Sequence, residues 1–206
     1  MNNTNTVPLV AILRGVLPQD VLAHIEILIA AGFTTVEIPL NSPDWQTSIA
    51  MAIARFGDRI QIGAGTVTSA NDVAILSQMK CSFILTPNTD PAVIKAAREA
   101  GMQTCIGCHT ASEAFVAIQH GANALKIFPA GELGSGYIRA LKAVLPKHIP
   151  LYAVGGITPA NLAEYLRAGC VGAGLGGDLY RAGQSPEQTA NQARAFKQAW
   201  DACQKR

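Results

Sequence analysis

Residues 122–131 are Ala122-Asn123-Ala124-Leu125-Lys126-Ile127-Phe128-Pro129-Ala130-Gly131. An apolar run closed by proline and glycine predicts a buried β-strand that ends in a turn. Side chains alternate between the two faces of a strand, so Lys126 shares one face with Ala124 and Phe128, while Leu125 and Ile127 share the other. The stretch therefore predicts a buried strand that carries a single lysine on one face.

Lys126 has two interpretations at this point. Burial makes the charged form of an amine costly and lowers its pKa, and a neutral amine on a rigid strand can attack a ketone to form a Schiff base. Alternatively, the methylene stem packs in the core while the ammonium group reaches water. The stretch by itself leaves both interpretations open.

The same pattern of strand followed by helix recurs along the chain. Apolar segments rich in glycine and β-branched residues begin near Leu9, Thr35, Gln61, Phe83, Thr104, Ala124, Leu151 and Gly172. Segments with helical character follow them at Pro18–Ala31, Asp44–Phe56, Ser69–Met79, Asp90–Ala100, Thr110–His120, Gly136–Leu145, Thr158–Arg167 and Ser185–Gln204. Alternating units of this kind predict an α/β fold of parallel strands, and eight of them close into a single (β/α)8 TIM barrel. A doubly wound open sheet is the competing architecture.

Many of the predicted helices carry recognisable end signals. Residue types that cap helix N-termini stand at Ser69, Asp90, Thr110, Thr158 and Ser185. Glycines that can end a helix stand at Gly32, Gly101, Gly121 and Gly169.

Composition limits the class of protein. The chain has 206 residues, of which 49% are hydrophobic and 15% are charged, and its formal net charge is +2. We expect one globular domain over residues 1–206, with residues 1–6 flexible. The sequence has no basic run and no apolar run long enough to span a bilayer, so neither nucleic acid nor membrane is expected as a partner. The polar N-terminus lacks the features of a signal peptide, which predicts a cytoplasmic protein.

The cysteines predict free thiols. There are five, an odd number in a chain too long to need disulfides, at Cys81, Cys105, Cys108, Cys170 and Cys203. Cys105-Ile106-Gly107-Cys108-His109 matches a haem-attachment pattern, but covalent haem attachment needs export. No second Cys or His pair has the spacing of zinc ligands, so we expect neither a metal nor a cofactor.

A barrel places its active groups where the strands end and the following loops begin. Polar and glycine residues gather at those positions: Arg14, Glu37, Thr66, Thr86-Pro87-Asn88, Lys126, Gly155-Gly156 and Gly174-Leu175-Gly176-Gly177.

Glu37 is the predicted partner of Lys126. It shares a strand face with Thr35 and Pro39, which turns its carboxylate toward the barrel axis, as Lys126 is turned. An ordinary buried ion pair would keep the amine charged and inert. Acid–base catalysis instead needs a carboxylate near enough to pass protons while the amine stays free to react. The pairing favours catalysis without deciding it.

The glycine clusters after the last two strands predict a phosphate site, because bare backbone N–H groups can approach an anion closely. Tight turns are the alternative explanation.

Arg14 can hold a substrate carboxylate through its planar guanidinium, or it can be a plain surface arginine. Thr66 can hydrogen-bond a substrate or cap the next helix.

With these residues placed, the chain resembles the class I aldolases that cleave 2-keto-3-deoxy-6-phosphosugars. The resemblance runs essentially from end to end and rests on Ala11-Ile12-Leu13-Arg14-Gly15, Val36-Glu37-Ile38-Pro39-Leu40-Asn41-Ser42-Pro43, Ile62-Gly63-Ala64-Gly65-Thr66-Val67, Leu125-Lys126-Ile127-Phe128-Pro129, Ala153-Val154-Gly155-Gly156 and Gly172-Ala173-Gly174-Leu175-Gly176. The resemblance is to the galactonate branch of the family. The gluconate enzymes characteristically carry an arginine-containing stretch where this chain has Asn41-Ser42-Pro43.

The resemblance implies a role for each of these positions. Lys126 would form the Schiff base, and Glu37 would be the acid–base group. The implied substrate-binding set is Arg14, Thr66 and Lys126 at the pyruvoyl end and Gly155, Gly156, Gly176 and Gly177 at the phosphate. The family commonly has serine at the position of Gly177, so a hydroxyl donor is lost here and weaker phosphate binding is expected.

The implied reaction is cleavage of 2-dehydro-3-deoxy-6-phospho-D-galactonate to pyruvate and D-glyceraldehyde 3-phosphate, in D-galactonate degradation, by a homotrimer that needs no cofactor. The nearest alternative substrate is the C4 epimer, 2-dehydro-3-deoxy-6-phosphogluconate. A sugar-phosphate isomerase or epimerase and a non-catalytic sugar-phosphate sensor are the alternatives from other classes, although neither needs a buried lysine opposite a glutamate.

Overall fold

A computed structural model describes residues 7–204 of the chain, and the expected flexibility of residues 1–6 lies outside them. Parallel strands pair in chain order and close into a barrel, with the last strand against the first. The strands are β1 Val7–Ile12, β2 Phe33–Pro39, β3 Gln61–Gly65, β4 Phe83–Leu85, β5 Gln103–Cys108, β6 Ala124–Ile127, β7 Leu151–Val154 and β8 Gly172–Leu175. The predicted TIM barrel is confirmed, and the open doubly wound sheet is wrong. One domain over residues 1–206 stays a prediction.

A helix follows every strand. The helices are α1 Pro18–Ala30, α2 Trp45–Phe56, α3 Ala70–Gln78, α4 Pro91–Glu99, α5 Ala111–Gln119, α6 Ala130–Val144, α7 Leu162–Arg167 and α8 Pro186–Gln204. Their bounds agree with the sequence to within one or two residues, except at the starts of α6 and α7. Among the helices described, none is both long and apolar enough to cross a membrane.

Most of the predicted end signals work as expected. Backbone N–H groups of the first turn donate to the side chains of Ser69, Asp90, Thr110 and Ser185. At Thr110 the capping box is complete, because the Glu113 carboxylate accepts from the Thr110 N–H in return. The glycines that follow α1, α4, α5 and α7 have positive φ.

The starts of α6 and α7 correct the prediction. α6 begins at Ala130, six residues before the predicted Gly136, and Gly134 breaks it with φ 76° and ψ 162°. α7 begins at Leu162, so Thr158 is not its N-cap. The Thr158 N–H instead donates to Asn161 Oδ1 at 2.8 Å and Asn161 N–H donates back to Thr158 Oγ1 at 3.3 Å, which closes a turn ahead of the helix.

The two faces of the strands have different roles. On β2 and β6 the outward residues Val36, Ile38, Leu125 and Ile127 are fully buried against the helices in one hydrophobic core. The inner faces carry Glu37 and Lys126 toward the barrel axis. In the strand register Glu37 lies beside Gly63 of β3, and Lys126 lies beside Gly107 of β5. The space beside these two glycines is filled by other groups, because an added Cβ atom would meet the Phe83 ring at Gly63 and the Pro87 backbone at Gly107.

Candidate active site

Lys126 is buried on the inner face of β6, with 5% of its surface exposed. Its Nζ atom lies 4.8 Å from the centroid of the Phe128 ring. Burial lowers the pKa of the amine, while the negative charge of Glu37 raises it and the positive charge of Arg14 lowers it further. Lowering the pKa favours the neutral amine, the form that attacks a carbonyl group. So little exposure leaves little of the ammonium group in bulk water, contrary to the snorkelling interpretation.

Glu37 lies in β2 and is 1% exposed. Burial raises the pKa of its carboxyl group to about 7, against the opposing effect of the positive charges of Lys126 and Arg14. Its Oε2 atom has no hydrogen-bond partner among the described residues. A carboxyl group with a pKa near neutrality can both take up and give back a proton at physiological pH.

Glu37 and Lys126 do not form a contact ion pair. Within the described part of the chain, the ion pairs with an N···O distance of 4.0 Å or less both join residues four apart on one helix, Lys95–Glu99 and Lys197–Asp201. The interpretation of Glu37 and Lys126 as an ordinary buried salt bridge is therefore wrong. Two buried ionisable groups that influence each other without direct contact are typical of a functional site rather than of a structural pair.

Arg14 lies at the end of β1 and is held by residues that follow the next two strands. Its Nη1 donates to Asn41 Oδ1 at 2.6 Å and to Thr66 Oγ1 at 3.3 Å. The β1 loop is also fixed by the Gly15 N–H, which donates to Ser42 Oγ at 2.9 Å. These bonds argue against a loose surface arginine. They also identify Asn41 as a site residue that sequence reasoning missed, although it lies in the stretch that distinguishes the two family branches.

Thr66 has an unusual backbone. Its φ of 58° lies in the left-handed region, which β-branched residues rarely adopt. It does not cap α3, because Ser69 accepts the bond from the Asp72 N–H at 3.1 Å. A strained residue whose hydroxyl group contacts Arg14 is consistent with a substrate-binding role, since strain of this kind is concentrated at functional sites.

The loop after β7 turns sharply at two glycines. Gly155 and Gly156 have φ of 90° and 73°, a conformation that side-chain-bearing residues resist. The Gly155 carbonyl accepts from the Gly131 N–H at 2.8 Å, and the Gly156 carbonyl accepts from Asn161 Nδ2 at 2.8 Å. In this loop, glycine is therefore required by the tight turn, and the bare backbone is also suited to bind an anion.

After β8 the chain makes one helical turn. The Gly176 carbonyl accepts from the N–H groups of Leu179 and Tyr180 at 2.8 and 2.9 Å. Arg181 Nε donates to the Gly177 carbonyl at 2.8 Å. The first N–H groups of such a turn have no partner within it and can bind an anion.

A cavity of about 420 Å³ at the C-terminal mouth joins these parts. It is lined by every predicted site residue except the more deeply buried Glu37, namely Arg14, Thr66, Lys126, Gly155, Gly156, Gly176 and Gly177. Pro87 also lines it, as do Phe128 and Asp178; the sequence placed Pro87 at a strand end but identified none of the three as a binding residue. Their only signal was their position after a strand end. The cavity is therefore lined by a buried amine, an arginine and the bare backbone of four glycines.

All five cysteines are free thiols, as predicted. Burial raises the pKa of Cys105 to about 12, so this thiol is protonated and a poor nucleophile at neutral pH. Within residues 7–204, no three side chains among His, Cys, Asp and Glu lie close enough together to hold a metal ion.

Known proteins resemble this chain over its whole length. The family model "Aldolase: KDPG and KHG aldolase" matches residues 1–193. The 2-dehydro-3-deoxy-6-phosphogalactonate aldolase of Escherichia coli (strain K12) is 56% identical over 193 residues, which are 94% of each chain. A solved structure described as "Native KDPGal structure" superimposes with a TM-score of 0.97 at 53% identity and covers 100% of both chains.

A second solved structure is a cube-shaped protein cage designed by fusing symmetric oligomeric domains. It matches with a TM-score of 0.95 and 55% identity, over 97% of this chain and 74% of that one.

Proposed function

Because the chain belongs to the KDPG and KHG aldolase family, we propose that it cleaves 2-dehydro-3-deoxy-6-phospho-D-galactonate to pyruvate and D-glyceraldehyde 3-phosphate through a Schiff base on Lys126. The observation that carries the mechanism is the buried Lys126–Glu37 pair, whose members shift each other's pKa without forming a contact ion pair. The likeness to aldolases speaks against the isomerase and the sensor.

The first half of the proposed reaction makes an electron sink. Neutral Lys126 adds to the C2 ketone and water leaves, which gives an imine that takes up a proton from solvent. The electron pair of the C3–C4 bond then moves toward this imine and leaves an enamine on Lys126. Glu37, acting through a water molecule, takes the proton of the C4 hydroxyl group, and glyceraldehyde 3-phosphate departs.

The second half restores the enzyme. Glu37 or its water returns the proton to C3 of the enamine, which regenerates the imine. Addition of water to C2 then releases pyruvate and the free amine of Lys126. A group that first accepts and then donates a proton works best with a pKa near the working pH, and the value of about 7 for Glu37 supports this role.

The cavity supports a substrate held at both ends. In the proposal Arg14 and Thr66 bind the pyruvoyl carboxylate, since a guanidinium group matches a carboxylate in shape and charge. The glycine loops after β7 and β8 bind the phosphate through backbone N–H groups. Asp178 lines the same cavity, next to Gly177, so a phosphate bound there would lie near its carboxylate.

The preference for the galactonate form is supported by two observations. The relative at 56% identity carries the galactonate name. In addition, Asn41 lies in the stretch that differs between the branches, and its side chain contacts Arg14 at 2.6 Å. The 2-dehydro-3-deoxy-6-phosphogluconate epimer is the alternative substrate.

We also propose a homotrimer that works in the cytoplasm during D-galactonate degradation. The assembly is supported by the family resemblance and by the use of a chain 55% identical to this one in a cage built from symmetric oligomeric domains. The compartment is supported by the five free thiols, which are typical of a reducing environment. Light scattering during size-exclusion chromatography measures the assembly, and a monomer would contradict the trimer.

The test of the proposed function is pyruvate release from the two epimers side by side, measured by a coupled assay. We expect strong preference for the galactonate form and covalent trapping of pyruvate on Lys126 by borohydride. Equal or reversed rates would keep the aldolase and overturn the proposed substrate. Release from neither epimer, together with no trapped adduct, would overturn the mechanism.

A further inference from the structure

The inner face of β3 has no side chain at two consecutive inward positions, Gly63 and Gly65. A Cβ atom on Gly63 would lie 2.3 Å from the Phe83 ring, and a Cβ atom on Gly65 would lie 2.1 Å from Glu37 Oε2. Both distances are far shorter than van der Waals contact. The ring and the carboxylate therefore occupy space that exists only because β3 presents bare backbone there.

We propose that Gly65 is a positioning residue for the acid–base group: its missing side chain lets the Glu37 carboxylate lie against the β3 backbone, within proton-transfer reach of a substrate bound to Lys126. This inference rests on the proposed function, because it concerns how the acid–base group of that reaction is held. It makes Gly65 part of the catalytic geometry without contact to the substrate.

On the side that faces β3, steric contact rather than a hydrogen bond limits the position of the Glu37 carboxylate. Glu37 is 1% exposed, and its Oε2 atom has no hydrogen-bond partner among residues 7–204. Of the Glu37 atoms, Oε2 would lie nearest to a Cβ atom at Gly65, at 2.1 Å, and Cδ and Oε1 would lie at 2.5 and 2.8 Å. With no donor to fix Oε2, the bare surface of Gly65 sets how far the carboxylate can lie toward β3.

Gly65 itself is fixed. Its carbonyl accepts from the Leu40 N–H at 2.8 Å, and in the strand register it pairs with Pro39, two residues beyond Glu37. The Glu37 side chain thus leans along the barrel toward its C-terminal mouth, where Arg14 and Lys126 line the cavity. A methyl group at position 65 would push the carboxylate away from this position.

The fold should tolerate that methyl group. Gly65 does not have the positive φ that would require glycine, and the clash would fall on the flexible end of a glutamate side chain. At Gly63 the same change would strike an aromatic ring. Gly65→Ala should therefore displace one functional group and leave the rest of the barrel intact.

The experiment compares Gly65→Ala with Gly136→Ala, a matched control in α6 where an added Cβ meets no atom within 4 Å. We expect Gly65→Ala to form the borohydride-trapped pyruvate adduct at Lys126 as the parent does, while kcat falls by roughly 10- to 100-fold because a displacement of about 1 Å misplaces the proton donor. The acid limb of the kcat profile should move above its parent midpoint, because a carboxylate pushed away from Lys126 and Arg14 loses part of the positive charge that lowers its pKa. Gly136→Ala should change neither.

A double variant separates positioning from packing. Aspartate is one methylene shorter, so Glu37→Asp makes room for the methyl group of Gly65→Ala. The loss in kcat of the double variant should be clearly smaller than the product of the two single losses, which measures coupling between the positions. If Gly65→Ala alone fails to fold, recovery of folding in the double variant supports the clash with Glu37, and no recovery overturns it.

The remaining outcomes also test the role of Gly65 as a positioning residue. An unchanged kcat and acid limb in Gly65→Ala, or losses that multiply independently in the double variant, would overturn the inference. A lower melting temperature with activity lost in proportion and an unmoved acid limb would reduce Gly65 to a structural glycine. Failure of the parent protein to trap pyruvate would instead count against the proposed function, and the two failures are thus distinguishable.

Discussion

The two mouths of the barrel enclose cavities of similar size but different chemistry. The C-terminal cavity, about 420 Å³, is lined by Arg14, Lys126, Asp178 and the glycine loops. The N-terminal cavity, about 480 Å³, is lined by neutral residues such as Gln61 and Tyr152, and none of the described residues lining it is Asp, Glu, Lys or Arg. Volume therefore does not distinguish the two mouths, whereas the charged residues favour the C-terminal one as the candidate site.

The polar groups at the two mouths also differ in how well they are satisfied. At the N-terminal mouth Asn123 Oδ1 accepts from the Thr104 N–H, the Thr104 hydroxyl group and Arg98 Nη1 at 2.9 to 3.1 Å. Between the mouths, Glu37 Oε2 has no partner in residues 7–204. A polar network that satisfies itself contributes to stability, and a buried group left unpaired is an expected feature of a catalytic site. Since the Glu37 side chain leans toward the C-terminal mouth, its unpaired oxygen favours that end of the barrel as the site of chemistry.

Among the substitutions at either mouth, Lys126→Met should reduce activity the most. Methionine keeps much of the volume but cannot form an imine, so pyruvate release should fall to the detection limit, by at least about four orders of magnitude. The borohydride-trapped adduct should also disappear. Circular dichroism checks that the barrel is intact, and substantial cleavage by the folded variant would rule out Lys126 as the Schiff-base residue.

Glu37→Gln should have the next largest effect. The amide keeps the shape but cannot accept a proton, so kcat should fall by roughly two orders of magnitude or more. In the parent protein the base works only when ionised, so the rate should fall as the pH drops below the carboxyl pKa of about 7. This acid limb should be absent from the variant. A near-normal rate with the limb retained would assign the base to another group.

Arg14→Gln should act on binding more than on chemistry. It removes the positive charge proposed for the substrate carboxylate but leaves a polar side chain beside Asn41. Loss of a charge-assisted hydrogen bond predicts a decrease in kcat/KM of roughly 10- to 100-fold, mostly through KM. A large loss in kcat with KM unchanged would instead place Arg14 in the chemical step.

The fold was largely predictable because its signals are local. Strand alternation assigned Glu37 and Lys126 to the inner face, and glycines and caps marked most helix ends. The start of α7 was missed because Thr158 and Asn161 bond to each other across a turn, which competes with the capping geometry that Thr158 alone predicts.

The candidate site was less predictable because its contacts join distant segments. Arg14 and Asn41 are 27 residues apart in sequence, and their contact depends on how β1 and β2 end side by side in the closed barrel. The left-handed φ of Thr66 contradicts its residue type, so no local rule predicts it. The clash that a Cβ at Gly65 would make with Glu37 depends on the register of two strands and the lean of one side chain. Such features follow from tertiary geometry, which sequence pattern does not contain.

Gly177→Ser should give a small gain at the C-terminal mouth. An added Cβ at this position meets only Arg181 Nε, at 3.9 Å, so the hydroxyl group fits without a clash. One further hydrogen bond to the phosphate should lower KM by roughly 2- to 10-fold with kcat little changed. Inorganic phosphate should also inhibit the variant at lower concentration than it inhibits the parent. If neither KM nor inhibition changes, the phosphate is not bound at Gly177.

Gln61→Ala should have the smallest effect on activity, and it tests whether the N-terminal mouth takes no part in the reaction. Gln61 is an exposed, uncharged residue that lines the N-terminal cavity, at the end of β3 opposite Gly65. An exposed substitution that removes no buried contact changes stability and activity little, so kcat/KM should stay within about twofold of the parent value. Arg14→Gln, at the opposite mouth, is the comparison. A loss from Gln61→Ala as large as that from Arg14→Gln would mean that the N-terminal mouth also takes part in the reaction, and the division between the two mouths would have to be given up.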